Sequence, residues 1–255
     1  MRFWWFSDKN CGFTPKLSSP SSGIRCERRV ASYCYSFMIA DTIRQIENEL
    51  QDRARLVSVT KTKPVAQLQE AYDAGCRLFG ENKVQEMADK QPQLPTDVQW
   101  HLIGHLQTNK VKYIAPFVAL IHSVDSLKLL QEINKQAAKH DRAIDCLLQI
   151  HIADEETKFG LSPDEADALL TDPELDPLTH VRIVGLMGLA TNTTDESQVR
   201  REFRGLKQVY DTFAQIQRPM IQFRELSMGM SGDYRIAVEE GSTLIRVGSA
   251  IFGSR

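Results

Sequence analysis

From Leu56 onward, short β-branched apolar runs alternate with longer stretches whose apolar residues recur every three or four positions. The first pattern predicts strands and the second amphipathic helices. Strands are expected at Leu56–Thr60, Arg77–Phe79, Val98–Ile103, Val118–His122, Ile144–Ile150, Arg182–Leu186, Phe223–Met228 and Thr243–Val247. Helices are expected between them at Val65–Ala74, Lys83–Lys90, Thr108–Ile114, Ser126–His140, Ser162–Leu170, Asp195–Ile216 and Asp233–Glu239. Start signals support several of these. Pro64 precedes the first helix, Ser162-Pro163 pairs an N-cap with proline at the first helical position, and Asp125-Ser126 precedes the fourth. Regular strand–helix alternation implies parallel strands in an α/β fold. Eight strands in this length imply closure into a single (β/α)8 TIM-type barrel. An open doubly wound sheet is the alternative. No GxGxxG or GxxxxGK[ST] motif is present, which removes its commonest nucleotide-binding versions.

The N-terminal segment follows neither period. Met1 to Phe37 carry Arg2, Lys9, Lys16, Arg25, Arg28 and Arg29 against Asp8 and Glu27, with a run of serines. Residues 1–37 are therefore expected to be a disordered or mis-assigned extension, and residues 38–255 the barrel domain. The helical pattern resumes at Met38 in MIADTIRQIENELQDR. Basic, serine-rich, acid-poor composition also describes transit peptides, so a cytoplasmic location is expected with organelle targeting left open.

Net charge is -2, which lacks the basic excess of a nucleic-acid binder. No apolar window reaches the length of a membrane span. Cys11, Cys26, Cys34, Cys76 and Cys146 form no CxxC pair. That argues against a disulfide framework or a zinc site and for a reducing compartment.

In such barrels the chemistry sits at the C-terminal ends of the strands. The first strand ends in LVSVTKTKP, where alternation puts Val57, Val59 and Lys61 on one face. A lysine among apolar walls can present a neutral amine that attacks an aldehyde. On this strand alone, Lys61 and Lys63 could equally be solvated loop residues. Asn82, in FGENKVQE, could donate to a ring hydroxyl or a phosphate. His101 and His105 have an HxxxH spacing, but Gly104 and the β-rich run before it argue for strand and turn, and so for packing or ligand contact rather than a metal. Lys158 lies in a charged loop that could bend over the mouth. The seventh and eighth strands finish in SMGMSGD and RVGSAIFG. Barrels commonly bind phosphate with these two loops and a short helix N-terminus. Ser231, Gly248 and Ser249 suit that role, although Gly-Ser turns are also ordinary loop chemistry.

VSVTKTKP, FGEN-x-VQE, WHLIG-x-LQTNK, the TKFG loop, GLMGLA, LSMGMSGD and IRVGSAIFG together resemble the signature blocks of the YggS-type pyridoxal phosphate homeostasis proteins. The blocks run in order from about Leu56 to the C-terminus. The resemblance implies a single barrel like the N-terminal domain of alanine racemase, with pyridoxal 5′-phosphate (PLP) held as an imine on Lys61 rather than Lys63. It implies phosphate contacts from Ser231, Gly248 and Ser249, with Asn82 nearby, Arg246 facing the pyridine nitrogen, and Lys158 as a second lysine near the cofactor. Many members carry tyrosine at the position of Lys83 and proline at that of His105. These departures add charge or a titratable group near the mouth and leave the expected cofactor contacts intact.

A guanidinium beside the pyridine nitrogen disfavours the pyridinium form and weakens the ring as an electron sink. The expected function is thus PLP binding and intracellular PLP homeostasis or carriage, with indirect effects on amino-acid and keto-acid balance and no catalysis. PLP-dependent apo-enzymes are the possible acceptors. The alternative is a PLP-dependent amino-acid racemase. In alanine racemase the opposing acid/base comes from an additional β-domain of the other subunit. This sequence ends at Arg255, just after the eighth predicted strand, which favours the carrier and a monomer. A third reading, a barrel for another phosphorylated ligand with an aldolase-like Lys61, rests on the same strand ends.

Overall fold

The computed structural model describes residues 38–153 and 160–253. A helix occupies residues 38–50 (α1), and Ile39, Ile43, Ile46 and Leu50 are its buried stripe. Their three- and four-residue spacing makes one apolar face. Eight parallel strands follow: β1 (Arg55–Val59), β2 (Leu78–Glu81), β3 (Gln99–Leu102), β4 (Val118–Val124), β5 (Ile144–His151), β6 (Val181–Leu189), β7 (Ile221–Ser227) and β8 (Leu244–Val247). They pair in chain order, and β8 closes on β1 through Leu56↔Ile245 and Ser58↔Val247. The sheet is therefore a closed barrel, and the open-sheet alternative is set aside.

The connecting helices are α2 (Val65–Asp73), α3 (Val84–Lys90), α4 (Val111–Ile114), α5 (Leu127–Ala138), α6 (Pro163–Thr171), α7 (Glu196–Phe213) and α8 (Tyr234–Glu239), and a short α9 (Ser249–Phe252) follows β8. Ser162 and Glu165 form a reciprocal capping box at α6, as the Ser-Pro signal implied. Asp195 caps α7 by accepting from the N–H groups of Ser197 and Gln198. The helix expected over 108–114 is split into a 3-10 turn at Thr108–Lys110 and the single turn α4.

Strand alternation sorts the interior from the helix-facing layer. Val57, Leu120, Leu147, Val184, Met187 and Leu244 form the apolar plug inside the barrel. Trp100, Phe79, Phe203 and Phe252 fill the layer between sheet and helices. Four strands outrun their sequence signal: β4 runs to Val124 rather than His122, β5 to His151 rather than Ile150, and β2 and β6 also lengthen. β2 continues through Gly80 and Glu81, and β6 runs to Leu189 instead of stopping at Leu186. The extension of β6 depends on Gly185, whose φ is +151° and whose missing Cβ would lie 1.7 Å from the Glu225 carbonyl oxygen. Any side chain there would collide with β7, so glycine is what lets the two strands pair.

Candidate functional site

Lys61 follows β1 at the C-terminal end of the barrel. Val57 lies in the interior plug, and alternation through Val59 carries the same face to Lys61. Lys61 is half-buried and makes no hydrogen bond or ion pair among the described residues. Lys63 is engaged: its Nζ donates to the carbonyl oxygens of Phe252 at 2.8 Å and Gly253 at 3.0 Å. It caps α9 from the neighbouring loop. Between the two lysines, Thr62 has φ +64°. That is a left-handed conformation rarely taken by a β-branched residue.

The loops after β7 and β8 meet beside this turn. The Gly248 N–H donates to Ser231 Oγ at 3.3 Å. A Cβ on Gly248 would lie 2.9 Å from the Val59 carbonyl oxygen, so glycine allows β8 to press against the tip of β1. Ser249 is exposed at the first position of α9, where the opening N–H groups have no intrahelical acceptor. Backbone donors, serine hydroxyls and a close-packed glycine form a concave donor set suited to an anion. Asn82 is partly buried at the end of β2, the other neighbour of β1. Its backbone is fixed by the approach of Gly104, whose missing Cβ would stand 2.4 Å from the Asn82 carbonyl oxygen.

Arg246 lies inside the barrel and is fully enclosed. Its Nη1 donates to Ser227 Oγ at 2.5 Å and its Nη2 to the Gly188 carbonyl oxygen at 3.0 Å. Burial lowers its pKa to about 10, and the Asp233 carboxylate partly offsets the effect. The guanidinium is still cationic at neutral pH. Ser227 Oγ also meets His122 Nδ1 at 3.0 Å, and His122 Nε2 meets His101 Nδ1 at 3.0 Å. Burial pulls His101 down to about 3 and His122 well below its ordinary value, with Arg246 adding to the effect on His122. Both imidazoles are therefore neutral, and each supplies one donor and one acceptor. The result is a chain from His101 through His122 and Ser227 to Arg246 inside the barrel.

His122 and Ser227 escaped the sequence reading. The usable signal was parity: each stands two residues beyond an inward-facing position in its strand. His101 and His105 do not converge. His101 is buried within the barrel, whereas His105 is exposed with Nδ1 3.6 Å from Asp125 Oδ2. Lys83 is exposed at the start of α3. Lys158 and the extension 1–37 lie outside the described residues. Cys76 and Cys146 are buried free thiols. No helix among the described residues is long and apolar enough to cross a membrane.

Lys61, Asn82, Ser231, Arg246, Gly248 and Ser249 thus occupy the C-terminal halves or ends of four consecutive strands, β7, β8, β1 and β2, or the loops that follow them.

Residues 38–255 match the family described as alanine racemase, N-terminal domain. A pyridoxal phosphate homeostasis protein of Aquifex aeolicus is 40% identical over 204 residues, covering 79% of this chain and 87% of that protein. The structure of PipY from Synechococcus elongatus without PLP superposes with a TM-score of 0.79 at 37% identity, covering 84% of this chain and all of that one. The same protein with PLP bound gives a TM-score of 0.76. An alanine racemase from Bartonella henselae shares the fold at 16% identity and a TM-score of 0.67, with 61% of its own length covered. The chain belongs to the alanine racemase N-terminal domain family and, within it, to the pyridoxal phosphate homeostasis proteins.

Proposed function

We propose that this protein binds PLP as an imine on Lys61 and serves intracellular PLP homeostasis or carriage, not amino-acid racemisation. The observation that carries the reading is the contrast between the two strand-tip lysines. Lys63 is committed to the carbonyls that end α9, and Lys61 is half-buried on the inner face without a partner among the described residues. Relatives named for PLP homeostasis and the PLP-bound PipY structure support it.

The donor set fits the cofactor. PLP supplies an aldehyde carbon, an electron-withdrawing ring and a phosphate. Lys61 would hold the aldehyde carbon, with water as the by-product. Ser231 Oγ, the Gly248 N–H and Ser249 would hold the phosphate, the close contact between Gly248 and Val59 leaving backbone where a side chain would otherwise fill the cradle. Asn82 would assist from the far side of Lys61. Arg246 would face the pyridine nitrogen. Pinned between Ser227 and Gly188, it would keep that nitrogen unprotonated. Apo-enzymes that require PLP are the proposed acceptors, with indirect effects on amino-acid and keto-acid balance. The protein is proposed to act as a monomer in the cytoplasm.

Serine substitutions test the phosphate cup. Ser231→Ala and Ser249→Ala are each expected to weaken PLP binding by roughly 1.5–3 kcal/mol, the worth of a hydrogen bond to a charged group. Pyridoxal, which lacks the phosphate, should bind weakly and be nearly indifferent to both changes. Titration of the four protein–ligand pairs by absorbance checks this. Wild-type PLP affinity in both variants would move the cup elsewhere.

A further inference from the structure

The turn that carries Lys61 is held from behind, on the helix side of the sheet. Thr60 and Glu81 point toward α3, and Lys90 ends that helix. The Lys90 side chain is 9% exposed, yet its ammonium reaches three acceptors: the Thr60 carbonyl oxygen at 2.8 Å, Glu81 Oε1 at 2.8 Å and Glu86 Oε1 at 2.7 Å. An ammonium has three donors, so the set is complete. Glu86 Oε1 also accepts the Thr62 N–H at 2.5 Å. Thr60 Oγ1 donates to Glu81 Oε1 at 2.6 Å, while Glu81 Oε2 is buried with no partner among the described residues.

Lys90 therefore grips the residue before Lys61 directly and the residue after it through Glu86. The backbone so held includes the left-handed Thr62, a conformation that persists only where its surroundings over-determine it. A buried carboxylate oxygen without a partner is a second unfavourable feature kept at the same place. The first lies in the short segment that sets the direction of Lys61, and the second is on the β2 carboxylate that accepts from Thr60 in that segment.

Resting on the cofactor reading above, we infer that Glu86 and Lys90 are positioning residues for Lys61. They clamp the Thr60–Lys61–Thr62 turn so that the amine stays on the inner face of the barrel. Glu86 is the better handle, because its side chain is 22% exposed and its removal leaves a smaller buried gap than that of Lys90 at 9%. The full-length chain, Glu86→Ala and Glu86→Gln are compared by amide hydrogen exchange at Thr62 and by the rate at which the imine absorbance appears on mixing with PLP. Glutamine keeps the oxygen that accepts from Thr62. The expected result is fast Thr62 exchange and about ten-fold slower imine formation in Glu86→Ala, as loss of orientation implies, with both restored in Glu86→Gln. An unchanged imine rate in Glu86→Ala overturns the inference. So does an equal slowing in Glu86→Gln while its Thr62 amide remains protected. Failure of the unsubstituted chain to fix PLP on Lys61 would be a different result: it overturns the cofactor reading itself and removes the purpose of the clamp.

Discussion

Lys61→Ala is expected to fold normally and to retain no PLP after exhaustive dialysis. The side chain makes no hydrogen bond or ion pair among the described residues, so truncating it breaks no such contact. Its stability should stay within about 0.5 kcal/mol of the parent, as for substitutions away from special features. The covalent link, by contrast, is removed outright, leaving Asn82, Ser231, Gly248, Ser249 and Arg246 to hold the cofactor. Affinity should fall by at least about a hundredfold, roughly 2.7 kcal/mol. Lys63→Ala should do the reverse. It loses the contacts to Phe252 and Gly253, at about 1 kcal/mol of stability, and keeps the imine. Absorbance after dialysis and thermal melts of the two variants separate these outcomes. Wild-type PLP content in Lys61→Ala would contradict the assignment.

The second large effect is an expected absence of turnover. The PLP-loaded protein, incubated with L-alanine or L-serine, should give no D-enantiomer above the uncatalysed background. Racemisation needs a stabilised carbanion and a proton donor on the face opposite the lysine. Arg246 stays charged, because burial brings it only to about 10, and it is fixed by Ser227 and Gly188. A cation beside the ring nitrogen weakens the electron sink, though by itself it does not forbid the chemistry. The opposing acid must also lie within hydrogen-bond reach of the proton path. Chiral chromatography after long incubation is the check. Turnover above about 1 s⁻¹, the low end of ordinary enzymes, that vanishes in Lys61→Ala would promote the racemase reading over homeostasis.

The barrel was legible because its periodicities are simple. Most strands bury both faces and read as apolar runs, β7 with exposed Gln222 and Arg224 being the exception, and the helices keep one stripe, as α1 does with Ile39, Ile43, Ile46 and Leu50. The ends of β2 and β6 were not legible. The expected strand stops at Phe79, but Gly80 faces inward, where a Cβ would lie 3.0 Å from Val57 and 3.2 Å from Ile103, and Glu81 is tolerated because Lys90 and Thr60 meet it. Gly188 lies beyond the expected end of the sixth strand, and the missing side chains of Gly185 and Gly188 admit neighbouring atoms.

The strand-tip positions Lys61, Ser231, Gly248 and Ser249 followed from the rule that barrels place chemistry at that end. The chain from His101 to Arg246 did not follow. Its members come from β3, β4, β7 and β8, and contacts between residues 19 to 105 positions apart leave no local trace. Lys90 was hidden for another reason: a lysine at the end of a helix ordinarily reads as a solvated charge, and only its three acceptors reveal it as buried structure.

Borohydride reduction of the PLP-treated protein, followed by peptide mass mapping, tests the central claim most directly. Reduction makes the imine permanent and marks the residue that formed it. The account predicts a pyridoxyl group on Lys61, with loss of the visible imine band. A label found only on Lys63 or Lys158, or no label at full PLP exposure, would contradict it.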